Sequence, residues 1–292
     1  MSDQKSYAPP PNMYGPQDTD NKFNGGHPSQ AGYAPQPGFA PYGYPSNNVP
    51  PSNLHVPNQP DTDPIVKGFE FSTESIRRGF IRKVYAILSV QLSFTFLVVM
   101  LFAHHYPTRI FAFQNFWLFI VSMVMVFVTI ITLSCCEGVR RTSPSNMIFL
   151  ALFTVGESIC VGYATLSYPP DVVMIAIGAT AVVVISLTIF AMQTKWDFTV
   201  MGGVLFVALM LFVVFSFVLM FTRSEIAHLI FAGIGALLFS IYLIYDTQMI
   251  MGGNHKYSMS PEEYVLGSIT LFLDIINIFL YILRIVGAAT KN

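Results

Sequence analysis

Residues 264–286 of the chain read YVLGSITLFLDIINIFLYILRIV, an apolar run interrupted by one acid and one base. A helix needs roughly 17–25 such residues to cross a bilayer. Small or polar residues recur along the run three and four positions apart, which places them on one helical face. The members of this polar stripe are Gly267, Thr270, Asp274, Asn277, Tyr281, Arg284 and Ala288. Because polar groups avoid lipid, the stripe predicts a membrane helix whose polar face lines an internal pathway or packs against another helix.

Six further apolar runs precede this one, and charged residues make up only 11% of the chain. A soluble protein carries roughly 25% charged residues, so lipid must replace water around most side chains. The predicted spans are residues 84–103, 113–135, 146–167, 172–193, 199–221, 226–250 and 264–286. The sequence therefore predicts an all-α polytopic membrane protein in which short loops join seven antiparallel neighbours.

Residues 1–75 have a different composition. Fourteen of the nineteen prolines lie in the first 64 residues, mixed with Gly, Tyr, Asn and Gln. Such a segment buries too little apolar surface to offset the entropy of ordering. We predict a disordered tail over residues 1–75 and a membrane domain over residues 76–292. The tail could be plainly solvated, or it could recruit SH3- or WW-type partners.

Lysine and arginine flank the predicted spans unequally. One side of the membrane receives Arg77, Arg78, Arg82, Lys83, Arg140, Arg141, Lys195 and Lys256, and the other receives Arg109 and Arg223. The positive-inside rule places the richer side, and with it the N-terminus, in the cytosol. Seven full spans would put Arg284 and Lys291 on the opposite side, whereas a last segment that dips in and returns would leave them in the cytosol.

Three carboxylates fall inside predicted spans: Glu157, Asp246 and Asp274. An acid inside a membrane is costly and indicates a functional site, although a protonated acid can also join two helices. The helical rise puts Asp246 about 9 Å, Asp274 about 15 Å and Glu157 about 16 Å from the cytosolic edges of their spans. Because a short loop joins the last two spans, we expect Asp246 and Asp274 to meet across them.

Two carboxyl groups in one low-dielectric site cannot both carry charge easily, so they would titrate as a unit. A shared proton would bridge them and its loss would make them repel, which gives a pH-sensitive latch. The deprotonated pair, with Thr270, Asn277 and backbone carbonyls, could also form a weak, transient calcium station. Glu157 and Tyr281 are further candidates for the lining of the pathway.

The sequence carries no recognisable catalytic motif, no EF-hand loop and no basic excess for nucleic acid. We therefore predict a protein that is not an enzyme and has no cofactor, with lipid, calcium and protons as its partners. Cys135 and Cys136 adjoin at the cytosolic edge of the second span, and Cys160 lies inside the third. The three cysteines provide neither a disulfide framework nor a C-x-x-C metal site. The adjacent pair is either two small apolar residues or a site of reversible palmitoylation.

Five motifs follow one another along the chain: CCEGVRRTSPSN at 135–146, MQTKWDFT at 192–199, YDTQ at 245–248, SPEEY at 260–264 and DIINIFLYIL at 274–283. Together they resemble the Bax-inhibitor-motif transmembrane family, in particular its Lifeguard branch, over residues 76–290. The resemblance implies a seven-helix bundle with the last helix at its centre. It also implies a pH-sensitive calcium leak governed by paired aspartates, here Asp246 and Asp274.

The same resemblance implies a role in calcium homeostasis and in suppression of apoptosis, in the endoplasmic reticulum, Golgi or lysosome. Arg140 or Arg141, near the end of the second span, would be the counter-cation of the acids. The alternative is a non-transporting scaffold that restrains death signalling through its tail and loops, with apoptosis-regulating proteins as partners. A seven-helix receptor is disfavoured because the N-terminus is predicted to be cytosolic. An intramembrane aspartyl protease is disfavoured because neither acid follows a glycine.

Overall fold

The computed structural model of the chain describes residues 64–253 and 255–290, with side chains from residue 74 onward. Every regular element in these residues is helical. The first six are α1 (Pro64–His104), α2 (Tyr106–Gln114), α3 (Trp117–Cys135), α4 (Glu137–Arg141), α5 (Ser145–Thr165) and α6 (Pro170–Gln193). A 3₁₀ turn, Phe198–Met201, leads into α7 (Gly202–Met220), which is followed by α8 (Glu225–Met251). A second 3₁₀ turn, Pro261–Glu263, leads into α9 (Tyr264–Ala289).

Seven helices in the described residues are long and apolar enough to cross a membrane, namely α1, α3, α5, α6, α7, α8 and α9. The prediction of seven spans is confirmed. α1 begins at Pro64, inside the residues assigned to the tail; the tail before that residue lies outside the described residues. The predicted span 113–135 is interrupted near its start, because α2 ends at Gln114 and α3 begins at Trp117. Asn115 lies between the two helices, and its side-chain amide donates to the carbonyl of Phe111 over 2.8 Å.

α9 lies at the centre of the bundle. It packs against α1, α5, α6 and α8, and half of its span is buried inside the protein, against 11% for the span that contains α7. Leu271, Phe272 and Ile278 of α9 are enclosed almost completely. The prediction of a central C-terminal helix is therefore confirmed, while α7 presents most of its apolar surface to lipid.

The last helix crosses the whole bundle. Its 26 residues form one continuous helix, which corresponds to about 39 Å at 1.5 Å per residue. It begins at the arginine-rich end, which we define by residues 74–83, 136–144, 194–197, 252–253 and 255–263. It finishes at the opposite end, where Gly287 adjoins the ring of Tyr168 so closely that a Cβ atom would lie 2.3 Å from that ring. The helix has no turn at which the segment could dip in and return, and it is long enough for a full crossing.

Candidate functional site

Asp246 of α8 and Asp274 of α9 meet inside the bundle. Their carboxyl groups lie within interaction range of each other, so a proton on one of them would let the two share a hydrogen bond. Thr270, one turn before Asp274, lies beside Asp246, and its hydroxyl donates to the carbonyl of Gly267 over 3.3 Å. Asp246 is only 8% exposed and Asp274 only 4%. The predicted acid pair is therefore present, with Thr270 beside it.

The hydrogen bonds of the pair are incomplete. The Oδ2 atom of Asp274 is buried and has no hydrogen-bond partner in the part of the chain that the structure describes. Within the same residues, neither aspartate forms an ion pair with a lysine, arginine or histidine. A buried acceptor without a partner costs about 1–3 kcal/mol. The arrangement therefore retains capacity for another donor or for a cation.

Tyr242 lies one turn before Asp246 on α8, within electrostatic range of both aspartates. Its phenol is half-buried and adds a polar group to the side of the pair that α8 provides. A tyrosine inside a membrane helix is common, so Tyr242 carries only a weak signal in the sequence.

Gln248, two residues after Asp246, fixes the end of α8. Its side chain is fully buried, and its amide nitrogen donates to the carbonyl of Trp196 over 2.9 Å. Its amide oxygen accepts from the N–H of Phe198 over 2.8 Å. Gln248 thereby ties α8 to the loop between α6 and α7. A glutamine inside a predicted span must find partners within the protein, and this requirement could have identified it.

The start of α9 is held by charged side chains at the arginine-rich end. Glu263 precedes the helix, and its carboxylate is bonded by both Arg140 and Arg141. On the next residue, the Tyr264 hydroxyl accepts from the amide of Asn146 over 2.6 Å, and the Lys83 ammonium lies 3.3 Å from its ring centre.

This network changes the expected role of the two arginines. We predicted Arg140 or Arg141 as counter-cation of the aspartates, but the structure joins both to Glu263 instead. Glu263 lies at the same end of the bundle as α4, so a pairing there leaves the arginines near the membrane surface and avoids deep burial of their charge. Glu263 lies just before the predicted last span, and an acid at a span's edge carries no signal of a function in the sequence.

The polar stripe of α9 continues from the pair to the opposite end. Asn277 lies one turn beyond Asp274 and donates to the carbonyl of Leu273 in its own helix. Asn277, Tyr281 and Arg284 line a cavity of about 250 Å³. A neighbouring cavity of about 510 Å³ shares Arg284 with the first and also includes Glu225. The predicted lining residues Asn277 and Tyr281 therefore border open space that reaches to one turn from the acid pair.

At the arginine-rich end the stripe is covered. A Cβ atom on Gly267 would lie 3.1 Å from the sulfur of Met259 and 3.3 Å from Ile250. The Arg77 guanidinium donates to the carbonyl of Met259 over 2.6 Å and holds this cover in place. The structure thus shows a stripe that is closed at one end and adjoins a cavity at the other.

The structure does not bring Glu157 to the pair. Glu157 lies on α5, is partly buried, and has its electrostatic effect on the thiol of Cys160, one turn away in the same helix. In the described residues it has no hydrogen bond or ion pair. The predicted depth of Glu157 in the membrane matches that of the aspartates. Depth, however, does not determine which neighbour a side chain on that helix faces.

Comparisons with known proteins extend this description. A family model described as "Inhibitor of apoptosis-promoting Bax1" matches residues 77–291. The human (Homo sapiens) protein lifeguard 3 is 37% identical over 96% of this chain and 93% of its own length. Protein lifeguard 3 of Mus musculus is 38% identical over the same shares. Protein lifeguard 4 of Mus musculus is 37% identical over 74% of this chain and 88% of its own length.

A central helix that carries a polar stripe and half of a buried acid pair, and that packs against four other spans, defines a multi-pass α-helical membrane protein. The family match extends over residues 77–291, which include nearly all of the bundle. The lifeguard relatives align with most of the chain. The chain belongs to the Bax-inhibitor family and to its Lifeguard branch.

Proposed function

We propose that the protein is a pH-sensitive calcium leak of intracellular membranes that contributes to calcium homeostasis and to the suppression of apoptosis. The observation that carries the proposal is the buried pair of Asp246 and Asp274, which has no counter-cation in the described residues and adjoins a polar stripe. We place the N-terminus in the cytosol, because the arginine-rich end contains most of the lysines and arginines. The membrane is that of the endoplasmic reticulum, the Golgi or the lysosome.

Calcium would pass along the polar stripe of α9. An ion that enters at the opposite end meets the cavity beside Tyr281, then the Asn277 amide, and then the carboxyl oxygens one turn further. Few fixed oxygens surround it there, and a weak site suits conduction because the ion must also leave. The closed arginine-rich end, with Ile250 and Met259 over Gly267, would have to open for passage.

The proton controls the pair through charge. With one proton, the carboxyl groups can share a hydrogen bond and hold α8 against α9. Without it, two buried anions repel each other unless a cation stands between them. Loss of the proton would therefore change both the spacing of the two helices and the affinity of the pair for calcium.

The role in apoptosis is supported by the family description and by likeness to proteins named lifeguard. A leak that sets the calcium content of an organelle would change the calcium available to death signalling. The competing function is a scaffold that acts through its tail and loops without transport.

Calcium efflux from liposomes containing the full chain tests the proposal. Wild type is compared with Asp274→Asn at a series of pH values, and the asparagine variant should lose the pH dependence because it cannot release a proton. Asp171→Asn is the matched control, because Asp171 is an exposed acid in the first turn of α6, away from the pair. Unchanged flux and pH response in both Asp246→Asn and Asp274→Asn would show that the acid pair does not control the leak.

The scaffold makes a different prediction. A chain that lacks residues 2–59 retains all of α1, so it should keep the leak if transport is the function. Loss of protection against cell death in this variant, together with wild-type efflux no faster than from empty liposomes, would establish the scaffold instead.

A further inference from the structure

We propose that Cys135 is a site of S-acylation, which receives a long-chain acyl group from acyl-CoA through an acyltransferase at the arginine-rich face of the membrane, with Cys136 as the adjacent acceptor. This inference is independent of the calcium leak. It uses only the cytosolic placement of the arginine-rich end.

Both thiols are accessible at the level where a membrane helix ends. Cys135 is the last residue of α3, and both cysteines are exposed. Cys136 leaves the helix with φ −101° and ψ 89°, so the chain turns away and leaves the thiols unobstructed. The Arg140 guanidinium donates to the carbonyls of Leu133 and Ser134, which places a cation within one turn of the thiols, as expected at the membrane surface.

An apolar surface leads from Cys135 into the bilayer. Val124, Val128, Ile131 and Cys135 are spaced four, three and four residues apart, so they share one face of α3. The three apolar members are 58%, 52% and 43% exposed, although the helix lies within the membrane. The other face of α3, with Ser122, Thr129 and Leu133, is buried against the bundle. An acyl chain on the Cys135 sulfur would lie along the lipid-facing side without displacing protein contacts.

The chemistry is thioester exchange. The Cys135 sulfur attacks the thioester carbonyl of the acyl donor, a new sulfur–carbon bond forms, and the bond to the donor sulfur breaks. The thiol proton passes to the departing thiolate, so no oxidant or reductant is needed. Hydrolysis of the product thioester restores the free thiol, and the modification is therefore reversible.

Cys160 provides an internal comparison. It lies on α5 inside the third span and is half-buried. A thiol at that depth cannot reach an acyltransferase that works at the membrane surface, so it should remain unmodified.

Thioester exchange on the full chain, expressed in animal cells, tests the proposal. Hydroxylamine cleaves thioesters, and a maleimide coupled to polyethylene glycol then adds a fixed mass at each released thiol. Wild type and Cys160→Ser should show the same hydroxylamine-dependent shift. Cys135→Ser should lose most of it, and the double variant Cys135→Ser/Cys136→Ser should lose all of it. Cys135→Ala and the double variant Cys135→Ala/Cys136→Ala should give the same results, which shows that the loss does not depend on the introduced serine.

Three results would overturn the proposal. The first is no shift in wild type while a known S-acylated protein of the same cells is shifted. The second is a shift that disappears in Cys160→Ser and survives in the double variant. The third is a shift of full intensity in Cys135→Ser, which would assign the site to Cys136.

Discussion

Arg284 shares the polar face of α9 with Asp274 and lines both cavities at the opposite end of the bundle. Among the described residues it has no ion pair, and its charge acts on Tyr281, one turn earlier. A fixed positive charge at the mouth of a cation pathway raises the energy of an approaching divalent ion. The effect is local, because salt at physiological strength screens charges beyond about 8 Å.

We therefore predict that Arg284→Gln increases calcium efflux from proteoliposomes several-fold, because it removes that repulsion at the mouth. Arg284→Lys is the matched control, since it keeps a positive charge and should leave the rate near that of wild type. Equal rates in all three proteins would show that the cavity beside Tyr281 is not the entrance of the pathway.

Asp197 organises the loop between α6 and α7 at the arginine-rich end. Its Oδ1 atom accepts from the backbone N–H of Thr199 over 3.0 Å and from the Thr199 hydroxyl over 2.6 Å. Its Oδ2 atom accepts from the N–H of Lys256 over 2.8 Å. These bonds, those of Thr199 first and that of Lys256 next, lower the pKa of Asp197 to about 2.

A lowered pKa means that the ionised carboxylate stabilises the folded state. This contribution is complete above the ordinary aspartate pKa of about 3.9 and is lost as pH falls toward the folded value of about 2. We predict that Asp197→Ala lowers the melting temperature of the detergent-solubilised protein near neutral pH. The difference from wild type should shrink as the pH is lowered through that window, and a difference that grows there would contradict the assignment.

At the scale of elements, α7, α8 and α9 meet through aromatic rings. Phe212 of α7 stacks on Phe231 of α8 with ring centres 4.1 Å apart, and Tyr281 of α9 meets Phe212 at 5.7 Å. Gly235 of α8 lies directly beneath these rings. A Cβ atom there would come within 2.8 Å of both Phe212 and Tyr281.

Gly235→Ala should therefore lower the free energy of unfolding by roughly 1–3 kcal/mol, the usual cost of overpacking. Gly233, on the same helix, has no atom within 4 Å of an added Cβ and is the matched control. Gly233→Ala should be neutral or slightly stabilising, because alanine favours a helix by about 1 kcal/mol over glycine. Thermal unfolding in detergent measures both, and equal effects of the two variants would contradict the packing described.

The membrane-spanning helices could be predicted from the sequence, and the short helices outside the spans could not. Seven long apolar runs identified the seven spans, because a bilayer requires that pattern of each helix separately. The short helices α2 and α4 were not predicted, since nine and five residues leave no periodic signal. The division between α2 and α3 falls at Asn115, a single hydrogen-bonding residue inside an otherwise apolar run.

Only part of the candidate site could be predicted, namely the part formed by two helices that are neighbours in sequence. Asp246, Asp274 and Thr270 come together because one short loop joins α8 to α9, and the polar stripe of α9 carries both Thr270 and Asp274. The partners of Arg140 and the position of Glu157 depend on how distant helices rotate against each other, and spacing along one helix does not contain that information.

At the scale of the whole molecule, the bundle holds its central helix at both ends and leaves the acid pair between them. Glu263 and Tyr264 fasten the start of α9, and Gly287 fits against Tyr168 near its end. The two carboxyl groups meet at the contact of α8 with α9, between these two fastened ends. We infer that the pair acts as one proton-controlled unit within a fixed frame.

Calcium efflux from proteoliposomes over a pH series, measured for wild type, Asp246→Asn, Asp274→Asn and the double variant, tests that unit most directly. If the two carboxyl groups act together, each single variant removes most of the pH dependence and the double variant adds little. Independent effects that sum in the double variant, or single variants whose pH profiles match that of wild type, would contradict a shared proton between Asp246 and Asp274.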